Sequence, residues 1–255
     1  RQVIRHLKAP APGRLVTTRF GAEPGWVLAE YADCTQAVWG PGDLQPRWAH
    51  RPANLKTCAL AMAPDARGWW FVTTGNQVLW HDPATGRDTT YGAAGEQVYA
   101  VSPSPDGAFL AVLRDEHLEL WCTSDRTLLW SNEDDYGVAP PAWTPDGRQL
   151  ISDRAIGGAH ELVILEREDG NIRQILRGGR LRSIGIALLP DTRRVLTLDY
   201  DSILHLWDLA TGRELVLGKA GPNSFTLSRD GRRAAIAPDF QQLGVTELAP
   251  AEVVD

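Results

Sequence analysis

The sequence predicts an all-β chain in which one strand-turn-strand unit is used six times, and three observations carry that reading. The stretch LHLWDLATGREL at 204–215 alternates apolar residues around Trp207 and then supplies turn residues at Asp208 and Thr211-Gly212. It returns as VLWHDPATGRD at 78–88, LELWCTSDRTL at 118–128 and AVWGPGDLQPR at 37–47, and without tryptophan as LVILEREDGNI at 162–172 and GVTELAPAEVV at 244–254. A second landmark runs in phase with it: Ala63-Pro64-Asp65-Ala66, Ser104-Pro105-Asp106-Gly107, Thr144-Pro145-Asp146-Gly147, Leu189-Pro190-Asp191-Thr192 and Ser228-Arg229-Asp230-Gly231.

The slot held by Trp39, Trp80, Trp121, Leu165, Trp207 and Thr246 recurs at spacings of 41, 41, 44, 42 and 39 residues. A period near 40 with four short strands per unit is the signature of a β-propeller blade. The tryptophan-aspartate landmark, clearest at Trp207-Asp208, resembles the WD-repeat family over essentially the whole chain. The six units predict six four-stranded blades in a single domain, 1–255, while the resemblance implies seven blades as the alternative, since the family often has seven. It further implies structural roles for Trp39, Trp80, Trp121 and Trp207 as wedges between sheets, and for Asp33, Asp115 and Asp201 in the turns between the second and third strands. The family's Gly-His dipeptide is absent. The fourth unit, PAWTPDGRQLISDRAIGGAHELVILEREDG at 141–170, resembles TolB-type blades, which implies that Trp143 fills the wedge that Leu165 leaves short.

Each unit reads in the same order. Strand a, nearest the axis, is LVTTRF, TCALAMA, VYAVSPS or NSFTLS. Strand b follows the Pro-Asp-Gly turn as WVLAEY, WWFVTT, AFLAVLR, QLIS, RVLTLD or RAAIAP. Strand c carries the tryptophan slot, strand d is polar and variable, and glycine and proline gather in the connections. QVIRHL at 2–7 stands where an outer strand belongs and is expected to complete the last blade, covering an edge that would otherwise recruit another chain.

Composition narrows the function. A net charge of −6 argues against a nucleic-acid groove. No apolar run is long enough to span a membrane as a helix. Cys34, Cys58 and Cys122 have no paired spacing, which favours a reducing, cytoplasmic compartment over a disulfide framework. Of 26 basic residues only Lys8, Lys56 and Lys219 are lysine, an arginine bias associated with GC-rich bacterial genomes. The six histidines show no ligand spacing, and neither a nucleophile elbow nor a phosphate-cradling loop is present, so no cofactor, metal or catalytic residue is expected.

One feature lies outside the repeat. Glu133, Asp134, Asp135 and Tyr136 occupy one connection between units, and Arg177, Arg180 and Arg182 occupy the next. In a meander of four antiparallel strands both connections emerge on one face, so the expectation is a bipolar docking surface with Tyr136 as anchor. The sequence therefore points to a non-enzymatic protein-interaction, sensing or regulatory module. Its partner would be another protein or another domain of a longer polypeptide. The alternatives are a substrate-gating or catalytic propeller of a hydrolase, and a TolB-like periplasmic scaffold.

Overall fold

The computed structural model describes the backbone of residues 10, 15–20, 25–52, 55–92, 95–115, 117–157, 159–178, 182–219, 225–227, 233–239 and 242–247. Side chains are described within 25–52, 60–92, 95–115, 117–157, 159–178 and 182–219. All regular structure among these residues is strand. The first sheet holds β1 (Leu15–Phe20), β2 (Val27–Tyr31), β3 (Gln36–Trp39) and β4 (Trp48–His50), and the second β5 (Leu55–Met62), β6 (Trp69–Thr73), β7 (Val78–Asp82) and β8 (Arg87–Tyr91). The third holds β9 (Val98–Pro103), β10 (Phe109–Arg114), β11 (His117–Cys122) and β12 (Leu128–Asn132). The fourth holds β13 (Ala142–Trp143), β14 (Gln149–Ile156), β15 (Ala159–Glu166) and β16 (Ile172–Arg177). The fifth holds β17 (Ser183–Leu188), β18 (Arg194–Asp199), β19 (Ile203–Asp208) and β20 (Glu214–Lys219). A three-stranded sheet of β21 (Phe225–Leu227), β22 (Arg233–Asp239) and β23 (Gln242–Glu247) follows.

Every sheet is an antiparallel meander in chain order, so its a–b and c–d turns lie at one end and its b–c turn and outgoing connection at the other. The tryptophan slot falls on the third strand in all six, and the expected strands match the observed ones within two residues at most ends. This all-β array of five four-stranded sheets fits a propeller-like, WD-like fold. The outer strand expected from QVIRHL lies outside the described residues. The chain forms two compact units, residues 1–131 and 132–255.

The in-phase turns have one construction. The amides of Ala66, Gly107, Gly147 and Thr192 donate to the carbonyls of Ala63, Ser104, Thr144 and Leu189 at 2.8–2.9 Å. The aspartate within each turn accepts a bond from the amide two residues on: Arg67 to Asp65, Ala108 to Asp106, Arg148 to Asp146 and Arg193 to Asp191. The last turn residue is left-handed, which glycine accepts freely, whereas Ala66 (φ 56°) and Thr192 (φ 58°) carry backbone strain there. The c–d turns use aspartate in the same way. Asp208 accepts the amide and hydroxyl of Thr211, and Asp82 accepts the amide of Ala84 and the hydroxyl of Thr85.

The cores lie between successive sheets of each unit. In the first unit Leu28, Val38, Leu60, Met62, Trp69 and Phe71 pack between the first two sheets, and Trp70, Val72, Val78, Tyr91, Val112 and Trp121 between the second and third. In the second unit Ile151, Leu162, Ile164, Leu176, Val195 and Trp207 fill the space between the fourth and fifth. Trp39, Trp121 and Trp207 are buried and Trp80 is half-buried, its ring centroid 4.5 Å from that of its cross-strand neighbour Trp70 and tilted by 55°. Each such side chain removes roughly 150–250 Å² from water.

The fourth sheet departs from the others. Its inner strand β13 is only two residues long because Pro140 and Pro141 precede it and have no amide to donate. The ladder resumes upstream, where Tyr136 pairs with Arg154, the Ala155 amide donates to the Asp135 carbonyl and the Gly137 amide to the Asp153 carbonyl. Trp143, Leu150 and Leu165 stand opposite one another across the sheet, which puts Trp143, half-buried, on the side that Leu165 faces.

The tryptophan slot also fixes a partner on strand b. The Trp207 indole N–H donates to the Thr197 hydroxyl at 3.0 Å. Ser152 occupies the equivalent register, but with Leu165 in the slot its buried hydroxyl has no hydrogen-bond partner. We therefore expect Ser152→Ala to leave stability unchanged or raise it by up to about 1 kcal/mol, and Thr197→Val to cost about 1–3 kcal/mol, measured by urea unfolding. The turn carboxylates set a pH dependence. Asp82 and Asp208 are held below the ordinary carboxylate range first by the backbone amides of Ala84 and Thr211, and Asp146 first by the Thr144 hydroxyl. Depressed folded-state values contribute stability that is complete above the unfolded pKa near 3.9 and lost as pH falls through the folded values. These carboxylates should accordingly make the urea midpoint decline below about pH 4, less steeply when they are changed to asparagine.

Candidate functional site

In the second unit the b–c end of the fourth and fifth sheets gathers the charged residues that the sequence singles out. Arg154, on β14 and largely buried, places Nη1 3.0 Å from Asp134 Oδ2 and Nη2 3.3 Å from Glu161 Oε2. Arg177, at the end of β16, puts Nε 2.9 Å from Glu161 Oε1, and Arg182 puts Nη2 3.2 Å from Asp135 Oδ1. The acidic and basic connections are thus brought together, but they neutralise each other. Arg154 is the cation that sequence reasoning missed. It stands in a strand, and nothing local marks it as the residue that ties the 134–135 connection to β15.

Tyr136 requires a correction. Only 1% of it is exposed, its hydroxyl has no hydrogen-bond partner, and burial pushes its pKa well above the ordinary phenol value. The backbone pairing with Arg154 turns this side chain inward, so it belongs to the core and not to the exposed surface expected of it. Glu133 is exposed, while Arg180 lies outside the described residues.

Beneath this layer Asp153 is buried. Its Oδ2 accepts the Ser183 amide at 2.7 Å and stands 3.3 Å from His160 Nδ1, and burial raises its pKa against those contacts. A Cβ on Gly137 would sit 2.5 Å from the same oxygen, so the close backbone approach requires glycine. His205 lies between two carboxylates, Nε2 3.0 Å from Asp199 and Nδ1 2.6 Å from Glu214. The space among Asp153, His160, Ser183, Thr197, Asp199, His205 and Trp207 is about 10 Å³, room for about one water and not for a substrate. This polar layer joins two sheets.

The turn aspartates divide. Asp33 accepts the amide and hydroxyl of Thr35 at 3.1 and 2.9 Å, and Asp115 accepts the Tyr99 hydroxyl at 2.7 Å. Asp201 is exposed at the third position of its turn. The carboxylate that works there is Asp199 at the first position, which accepts the Ile203 amide at 2.8 Å and meets His205. The tip between them is Tyr200, 59% exposed, and the neighbouring b–c turn carries Ile156, 49% exposed.

In the first unit two aromatic groups stand outside the periodic slot. Trp26 and Trp48 stack at 5.6 Å with Arg47 5.0 Å above the Trp26 ring. His50 and His81 stack at 3.8 Å beside Asp88, and the His50 imidazole is held below its ordinary pKa by burial and then by His81, with Asp88 opposing.

The repeated four-stranded sheets and slot residues fit a WD-like, propeller-like all-β fold. Consistent with that, the chain is 28% identical over 158 residues to the WD repeat-containing protein WDS homolog of Arabidopsis thaliana. The match covers 58% of this chain but 29% of that protein, so the chain spans less than a third of its relative's length. No protein-family model matches.

The two arginines at this end should differ sharply. Arg154→Met leaves Asp134 and Glu161 without their shared cation and should cost about 3 kcal/mol, whereas Arg177→Ala, at a side chain 76% exposed, should cost no more than about 1 kcal/mol. Chemical denaturation of the two variants checks the contrast.

Proposed function

We propose that this chain is a non-enzymatic, WD-like interaction module that docks a protein partner on the b–c loop end of its second unit. The observation that carries the reading is the exposure of Tyr200 and Ile156 on adjacent turn tips, beside charged side chains already paired within the chain. A large aromatic and an aliphatic residue exposed together on turns supply anchor area, and the paired rim around them adds little desolvation cost. The distant WD repeat relative supports a protein-interaction role in general. The recurrence of the slot over six sheets supports extending the reading to six blades in one domain over 1–255, with the fourth of TolB type through Trp143.

The reading changes which residues should be tested. Reversing Arg177, Arg180 and Arg182 to glutamate would break the chain's own pairs with Glu161 and Asp135, so loss of binding would report on folding as much as on docking. The double variant Tyr200→Ala, Ile156→Ala leaves those pairs intact. Crosslinking and mass spectrometry of the folded protein in native extract should give a stoichiometric partner joined near 133–135 or 199–202, reduced ~10-fold or more by the double variant. Equal capture by the wild type and the double variant would remove this face as the docking site.

A further inference from the structure

We propose that His50, His81 and Asp88 form a binding site for one divalent transition-metal ion of the zinc class. The three come from two sheets of the first unit: His50 ends β4, while His81 on β7 stands directly opposite Asp88 on β8. One ligand atom from each lies within 4.8 Å of the others. His81 Nδ1 is 2.7 Å from Asp88 Oδ1, and His50 Nε2 is 3.6 Å from Asp88 Oδ2. His50 Nε2 is buried and has no hydrogen-bond partner, so a polar atom has been taken from water and left unspent, facing the shared carboxylate.

The surroundings suit an ion. Trp69 and Phe71 wall the imidazoles at 4.6 Å from His81 and 5.8 Å from His50, respectively, while Asp88 keeps a third of its side chain in solvent as the entry side. Two imidazoles and one carboxylate oxygen select zinc, cobalt, nickel or copper over calcium or magnesium, which prefer all-oxygen shells. Three protein ligands leave a position for water. The rings are stacked 20° from parallel, so in-plane lone pairs from the two do not converge on one point and binding requires one ring to turn. His50, the last residue of a three-residue outer strand, is the one placed to do so.

The test uses the chain without a polyhistidine tag, freed of metal by chelator and dialysis. Calorimetric titration with Zn²⁺ should give one site, and Co²⁺ should give visible bands of a four-coordinate nitrogen and oxygen site. His50→Gln and Asp88→Asn should each weaken Zn²⁺ binding ~10-fold or more, and His160→Gln in the other unit should leave it unchanged. Zn²⁺ should also shift the imidazole NMR resonances of His50 and His81 in the unaltered chain, a readout that does not depend on variants folding. Absence of binding, binding unmoved by either variant, or resonances of these two rings unmoved by Zn²⁺ would overturn the proposal.

Discussion

Burial of the third strand on both of its faces in the first, third, fourth and fifth sheets is the constraint from which the rest of the structure follows. In β11 and β19 the four central residues are buried without alternation, and β3 is buried throughout. A strand in that position cannot hand a polar side chain to water, so each polar residue must find its partner inside the sheet stack. Glu119, two residues before Trp121, accepts the Trp121 indole N–H at 2.8 Å and pairs with Arg114 at 3.0 Å. His205, at the same offset before Trp207, takes Asp199 and Glu214. Different residues at one register solve one problem, and each solution recruits its own set of neighbours. This explains how sheets with identical topology come to carry different chemistry.

Features set by short-range chemistry were legible in the sequence. The repeat period, the strand order and the position of Asp208 at a c–d turn depend on neighbours a few residues apart, and they stand as the sequence indicates. Features set by distant partners were not. Asp201 matched its family position by spacing, yet Asp199 two residues earlier does the work, because the decisive partner is His205 on the next strand and spacing does not show which way that ring faces. Tyr136 reads as an exposed anchor because it shares a connection with Glu133, Asp134 and Asp135, next to the arginine-rich one. Pairing of that segment with β14 turned it inward, and Pro140 and Pro141 were the local sign that the inner strand would be interrupted. His50 and His81 have no motif spacing, and only the packing of one sheet on the next makes them neighbours.

The charged connections show why a contrast in sequence charge is weak evidence for a docking surface. Opposite charges on adjacent loops of one face attract each other before they meet anything else. Here Arg182 reaches Asp135 across 47 residues of sequence, and Glu161 is shared by Arg154 and Arg177. A charge satisfied in this way contributes little to steering a partner, since its field is largely cancelled within a few ångströms. It does fix the geometry of the loops. The salt bridges hold the 134–135 connection against β14 and β15, and the turn at 199–202 is clamped from below by Asp199 and His205. Tyr200 is then presented on a tip whose backbone is already ordered, so a partner that covers it would not have to supply the entropy of arranging the turn. On this reading the polar network contributes to recognition by rigidity, and contact is left to the few apolar side chains that the network does not bury.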